Sequence, residues 1–422
     1  MAHLVNRYRM ISALALSFMI FAILLNSVGT VILQAIHSFG VGKPEASLLE
    51  PFKDLPIVIT SFAVASFLPA LGYRRSILIA LAVVALACTL MPLFPAFHTT
   101  ALLFVCVGVS FALTKVSVYG SIGLLTATQS EHTRLTNFIE GLFMVGVVIS
   151  GWLFSAFIRS GPGAQVAWLR VYWLIAAVCV LAMVLLAGAR LDESAARGKV
   201  RPIRDSLAQI SRSSLRSMVY VFLASTFFYV LIEQSFGTWL PTFNYEVLKL
   251  PDAVSVQMAS MLAASIAIGR VAAGQLLRRV AWYPLLNVCV VGMGLLIVLT
   301  LPLARHVGGG HVGWLQAPLA AYLIPLIGFL MAPIYPVINS VALSALPKPA
   351  HAAMTGLILV FSALGGTLGS RITAIVFARF GGIHAFYFSL LPMTLLLASL
   401  FLFKRETVRA AAGLARLDAA AE

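Results

Sequence analysis

The apolar positions of this chain neither alternate nor keep to one helix face; they run on unbroken. Apolar stretches of about 20 residues recur from end to end with short polar breaks between them, the length an α-helix needs to cross a bilayer. Twelve spans are predicted, at about 10–36, 47–69, 76–97, 100–126, 136–158, 168–189, 217–242, 253–277, 283–304, 315–345, 351–378 and 383–403. A membrane barrel would need short alternating strands instead. The first run follows Arg7 and Arg9, is too long for a signal-peptide core and shows no cleavage site, so it is read as the first span. The longest polar break, 190–216, falls between spans six and seven. The pattern therefore predicts an all-α membrane protein with twelve transmembrane helices in two six-helix bundles. Residues 1–189 form the first bundle, 190–216 a basic linker, 217–404 the second bundle and 405–422 a short tail.

Composition removes the soluble classes. Of 422 residues, 61% are hydrophobic and 10% charged, where soluble domains carry roughly 25% charged residues. The net charge of +15 is a topology signal. With an even number of spans both ends share a side, and that side collects 19 of the Lys and Arg residues against 6 on the other. The excess marks the cytoplasm, giving N-in and C-in and an address in the cell inner membrane. It also accounts for the charge through topology and lipid contact, with no nucleic-acid partner. Cys88, Cys106, Cys179 and Cys289 all lie inside apolar runs and read as small core residues. The eight histidines never pair at ligand spacing, so neither a metal nor a cofactor is expected. Without a nucleophile–base set at depth, the chain does not read as an enzyme.

The halves repeat. His132, Leu135, Thr136 and Gly146 match His351, Met354, Thr355 and Gly365 at one constant offset, and Gly108 in span four matches Gly328 in span ten. Repeats of this kind build transporters that bind solute near the midplane.

These features carry a family resemblance. Twelve spans in a 6+6 split, a basic central linker and Leu71-Gly72-Tyr73-Arg74-Arg75 after span two resemble the major facilitator superfamily. The second half offers Ile268-Gly269-Arg270, Gly274 and Arg278-Arg279 in the equivalent place. The first loop lacks the family's usual aspartate. Within the superfamily, Arg134-Leu135-Thr136-Asn137 through Glu140 and Gly146, with Ala332-Pro333-Ile334-Tyr335-Pro336, resemble the fucose:proton symporter branch. That resemblance implies two pseudo-symmetric bundles, a sugar and a coupling proton. The branch's two carboxylates, however, fall on Thr30 and Thr114 here.

Charges inside the spans are the candidate chemistry, because each costs about 2.5–3.5 kcal/mol at a helix centre and so faces a cavity or a partner. Glu140 in span five and Arg270 in span eight are a candidate cytoplasmic gate pair, since those spans meet in the resembled fold. Glu50 or Asp54 in span two with Arg371 in span eleven is the candidate outer gate. Lys53 sits on the same face as Glu50 and Asp54 and offers local neutralisation instead. Lys115 and Glu233 are the midplane pair, for solute or proton. Tyr119, Gln234, Trp239, Asn26, Tyr335 and Asn339 extend the polar and aromatic lining. Pro333 and Pro336 are expected to kink span ten. The glycines of spans five and eleven read as packing positions.

The expectation is a monomeric, proton-coupled carrier of a small hydrophilic solute, most naturally a monosaccharide. The alternatives are an organic-anion or multidrug carrier, and more distantly a non-transporting sensor. A sensor would carry a longer soluble tail. A drug exporter would show a greasier cavity and the full span-five motif of drug antiporters, which is absent.

Overall fold

The computed structural model describes residues 2–421 apart from 127, 160, 162–164, 192, 194–215, 306, 308–312 and 347–350. Arg197, Lys199, Arg201, Arg204 and Arg212 of the basic linker, and Lys348, lie outside the described residues.

Every regular element among the described residues is helical. In hydrocarbon each backbone N–H and C=O must be satisfied within its own segment, which a helix does at any sequence position. The elements are α1 (Ala2–Asn26), α2 (Val28–Phe39), α3 (Leu49–Leu71), α4 (Tyr73–Leu93), α5 (Phe97–Leu125), α6 (Gln129–Ser155) and α7 (Val171–Ala187). They continue as α8 (Arg216–Glu246), α9 (Asp252–Leu276), α10 (Trp282–Thr300), α11 (Leu319–Ser344), α12 (His351–Phe380), α13 (Gly382–Phe388) and α14 (Leu390–Ala421). Eleven segments among the described residues are long and apolar enough to cross a membrane. The remaining predicted span is α3, which is 23 residues long and carries Glu50, Lys53 and Asp54 near its start.

Two predicted spans are interrupted, each for a local reason. The first divides at Ser27, whose N–H bonds the Leu24 carbonyl at 3.3 Å while its Oγ donates to the same oxygen at 2.8 Å. A side chain competing for a helix carbonyl bends the helix there. The tenth contains a tight turn at Ile324–Leu326 and a break at Ala332–Pro333 before Ile334–Ser344 resumes. Pro325, Pro333 and Pro336 each lack the N–H that a continuous helix would use.

The chain divides into two compact units. The first holds 1–200 together with 252–260, the start of α9. Gln34 Nε2 and His37 Nδ1 of α2 meet Asp252 Oδ2 at 3.1 and 2.9 Å inside this unit. The second unit holds 201–251 and 261–422.

Each unit repeats the packing of the other. In the first, Gly108 of α5 lies so close to the Lys53 carbonyl of α3 that a Cβ would collide with it. In the second, a Cβ on Gly328 of α11 would lie 2.5 Å from the Leu262 carbonyl of α9. Gly146 of α6 closes on Met19 of α1, and Gly365 of α12 closes on Phe227 of α8. Span four on span two is thus span ten on span eight, and span five on span one is span eleven on span seven. Small residues at such crossings are what lets membrane helices approach. The Ser150 hydroxyl bonds the Ile23 carbonyl at 2.9 Å, and Gly369, its counterpart, abuts the Leu231 carbonyl. The repeat therefore reaches spans one and seven, where the sequence showed no match.

The loop after α3 lacks an aspartate, and another residue supplies the carboxylate. Glu193, beyond α7, accepts from the N–H groups of Tyr73 at 3.1 Å and Arg74 at 2.8 Å. Two free N–H groups at a helix start are the natural seat of a carboxylate. Gly72, at φ +85, leaves room for it; a Cβ there would strike Glu193. Arg74 in turn donates to the Leu186 and Ala187 carbonyls at the end of α7. Four hydrogen bonds thus bind the start of α4 to the end of α7 and Glu193 beyond it.

Candidate functional site

Each unit carries one polar cluster deep within its helices. In the first unit, Lys115 lies ten residues from the nearer end of α5, about 15 Å at the rise of an α-helix. It is nevertheless exposed. Its ammonium stands 5.8 Å from the centroid of Phe111, one turn earlier on the same helix. Phe111 belongs to an aromatic group drawn from three helices. Its ring lies 6.2 Å from Phe18, 5.9 Å from Phe21 and 6.2 Å from Phe143, and Phe18 and Phe143 are 4.9 Å apart. Tyr119 meets Phe18 edge-on at 6.2 Å. The Tyr119 hydroxyl donates to Glu140 of α6. Glu140 acts on Lys115 electrostatically. No ion pair and no hydrogen bond reaches Lys115 from any described residue.

In the second unit, Glu233 lies thirteen residues from the nearer end of α8, about 20 Å in. Its Oε1 accepts from the Tyr229 hydroxyl at 3.1 Å. Arg270 of α9 lies within electrostatic range of Tyr229. The Tyr229 and Tyr335 rings are 5.7 Å apart. Tyr335 of α11 shares a hydrogen bond with Ser362 of α12 at 3.2 Å, and Asn339 lies one turn further along α11. The Oδ1 of Asn339 is buried and has no partner among the described residues. A buried acceptor without a partner costs about 1–3 kcal/mol.

Glu50, Lys53 and Asp54 form a third group in the first unit. Lys53 Nζ lies 2.8 Å from Glu50 Oε2 and 3.3 Å from Asp54 Oδ1. Glu50 is only 1% exposed. Both contacts run within one helix, at the i, i+3 and i, i+1 spacings. Arg371 is half-buried on α12.

Within the units, the structure brings together Lys115, Tyr119 and Glu140, and likewise Glu233, Tyr335 and Asn339. Gln234 follows Glu233 and is half-buried. Asn26 is exposed at the end of α1, with one amide N–H donated to the Ala22 carbonyl at 2.8 Å. Trp239 requires a correction. It is 0% exposed, its indole N–H is taken by Ser370 O at 3.0 Å and Oγ at 3.2 Å, and its ring lies 5.9 Å from Phe377. A tryptophan so enclosed fastens α8 to α12 and offers no surface to a solute. The sequence reading missed Tyr229, Ser362 and the phenylalanines. Tyr229 and Phe111 each lie one turn before a singled-out charge, so the i, i+4 rule could have found them. Nothing in the sequence marks Ser362, Phe18 or Phe143.

Comparison with known proteins agrees with this architecture. No curated protein matches the chain. The solved structure of a bacterial homologue of the human lysosomal transporter Spinster, inward-facing and unoccupied, is similar over 96% of this chain and 98% of its own, at 13% identity and TM-score 0.76. A D-xylose–proton symporter matches over 94% and 97%, at 13% identity and TM-score 0.69. The fucose:proton symporter of E. coli matches over 94% and 98%, at 16% identity and TM-score 0.58. At such identities these likenesses show a common fold. The family model of the Major Facilitator Superfamily matches residues 12–370. With its two packing-equivalent units and its many apolar spans, this multi-pass membrane protein belongs to the major facilitator superfamily of transporters.

Proposed function

We propose that the chain is a secondary active transporter of a small hydrophilic solute, a monosaccharide or close relative, driven by protons across the cell inner membrane. The observation that carries the reading is the polar group of Tyr229, Tyr335 and Ser362 gathered near the deep carboxylate of Glu233. Hydroxyl and amide groups around tyrosine rings suit a polyhydroxylated ligand, which has donors to give and C–H faces to lay on aromatics. Sugar–proton symporters stand among the structural neighbours and support the same reading.

Glu233 is the proposed proton carrier. Its carboxylate lies deep in α8 and faces Tyr229, with Tyr335 in electrostatic range. Protonation would remove a charge whose cost rises as water leaves the site. The alternation of access belongs to the same proposal, with Glu140 and Arg270 as one gate and Glu50 or Asp54 with Arg371 as the other. So do a monomeric working state and both termini in the cytoplasm.

The test is uptake by proteoliposomes of the purified protein, using a panel of radiolabelled monosaccharides and their acids, with and without an inward proton gradient. Gradient-driven uptake that Glu233→Gln reduces to passive equilibration supports the proposal. Absence of uptake of every sugar and sugar acid overturns it.

A further inference from the structure

The neutral-sugar reading leaves one group unused. Lys115 places a full positive charge about 15 Å from the nearer end of its helix. A core lysine is normally matched by a carboxylate at hydrogen-bond distance, as Lys53 is by Glu50 and Asp54. Lys115 has only the face of Phe111 at 5.8 Å. A cation–π contact at that range is worth about 0.5–2 kcal/mol, short of the cost of an ammonium at depth. The carboxylate on the neighbouring helix, Glu140, is held by the Tyr119 hydroxyl and stands off from the ammonium. Lys115 is an exposed residue all the same. Phe111 and Phe18 fill the core beside it, and the half-buried Phe143 and Tyr119 lie at the edge of that core. The group therefore offers an ammonium with its donors unspent, next to two half-buried rings.

We infer that the transported solute is an anion and that Lys115 receives its carboxylate, the half-buried rings of Tyr119 and Phe143 taking the carbon frame beside it. This deepens the reading above and rests on it for the polyhydroxylated part: the solute is then a sugar acid, and a neutral monosaccharide is a poor match. Glu140, kept aside by Tyr119, leaves the ammonium available instead of cancelling it.

The experiment measures binding and uptake of a matched pair, D-galactose and D-galacturonate, with L-lactate and benzoate as acids without the sugar frame. Wild-type protein is compared with Lys115→Arg, which keeps the charge, and Lys115→Met, which keeps the length. Lys115 is held by one ring contact, to Phe111, so both variants are expected to fold, and their melting temperatures check this. The expected result is at least a 10-fold preference of wild type for galacturonate over galactose. Lys115→Arg retains most of it, and Lys115→Met loses it. Lys115-dependent uptake of lactate or benzoate with neither sugar compound taken up upholds the anion site and overturns the sugar reading. Equal handling of galactose by wild type and Lys115→Met, with no Lys115-dependent acid, upholds the sugar reading and overturns the inference.

Discussion

Lys115 in the first unit and Tyr335 in the second hold the same place in the repeat, at the offset that relates Gly108 to Gly328. Tyr119 and Asn339 correspond in the same way. The helices around them pack alike, glycine for glycine. The chemistry differs. The first unit places a lone ammonium above phenylalanines. The second places phenols, an amide and a hydroxyl in a connected network around one carboxylate. A repeat thus preserves backbone packing, where a collision has no remedy, while its side chains facing open space diverge. One cluster is suited to an acidic group and the other to hydroxyls and a proton.

The packing half of that comparison can be broken most severely. Gly108→Leu and its counterpart Gly328→Leu each drive a side chain into a carbonyl of the facing helix. Overpacking typically costs 1–3 kcal/mol and more where backbone must move. Both variants are expected to lose folded protein on size-exclusion chromatography, and to a similar degree. Normal melting of one and collapse of the other would end the equivalence of the units. The chemical half is sharpened by Tyr335→Phe. Losing the phenolic oxygen removes the hydrogen bond to Ser362, worth about 0.5–1.5 kcal/mol. Solute affinity should fall about 10-fold, with the acid-over-neutral preference intact because that preference belongs to the other unit. Trp239→Phe serves as the control. It should lower the melting temperature through the lost Ser370 bonds, by about 1 kcal/mol of stability, with transport per folded molecule unchanged. The smallest effect is expected for Glu193→Ala, about 0.5–2 kcal/mol by analogy with other helix caps, read as earlier local exchange of the Tyr73 and Arg74 amides.

Much of the fold was legible because lipid imposes it. Twenty apolar residues must be helical in hydrocarbon, so all twelve predicted spans coincide with helices to within a few residues at most ends. The start of α4 at Tyr73, three residues before the predicted span, was hidden because its cap comes from Glu193, about 120 residues away. The break at Ser27 depends on one hydroxyl choosing a carbonyl. The candidate site was legible where charge marked it, since Lys115, Glu140 and Glu233 stand out in an apolar run. Trp239 was misplaced for the converse reason. An aromatic residue in an apolar run reads the same whether it lines a cavity or fills the core, and only the Ser370 partner across the helix interface distinguishes them. Ser362, Phe18 and Phe143 are ordinary residues made significant by their neighbours in space.

The central claim is that solute entry is coupled to a proton carried by Glu233. It is tested most directly in proteoliposomes loaded with a pH-sensitive dye, to which the solute identified by the uptake panel is added outside. Wild-type protein should acidify the lumen as the solute enters, and Glu233→Gln should admit solute with no acidification. Identical acidification by Glu233→Gln, or solute entry without acidification by the wild type, would contradict the account.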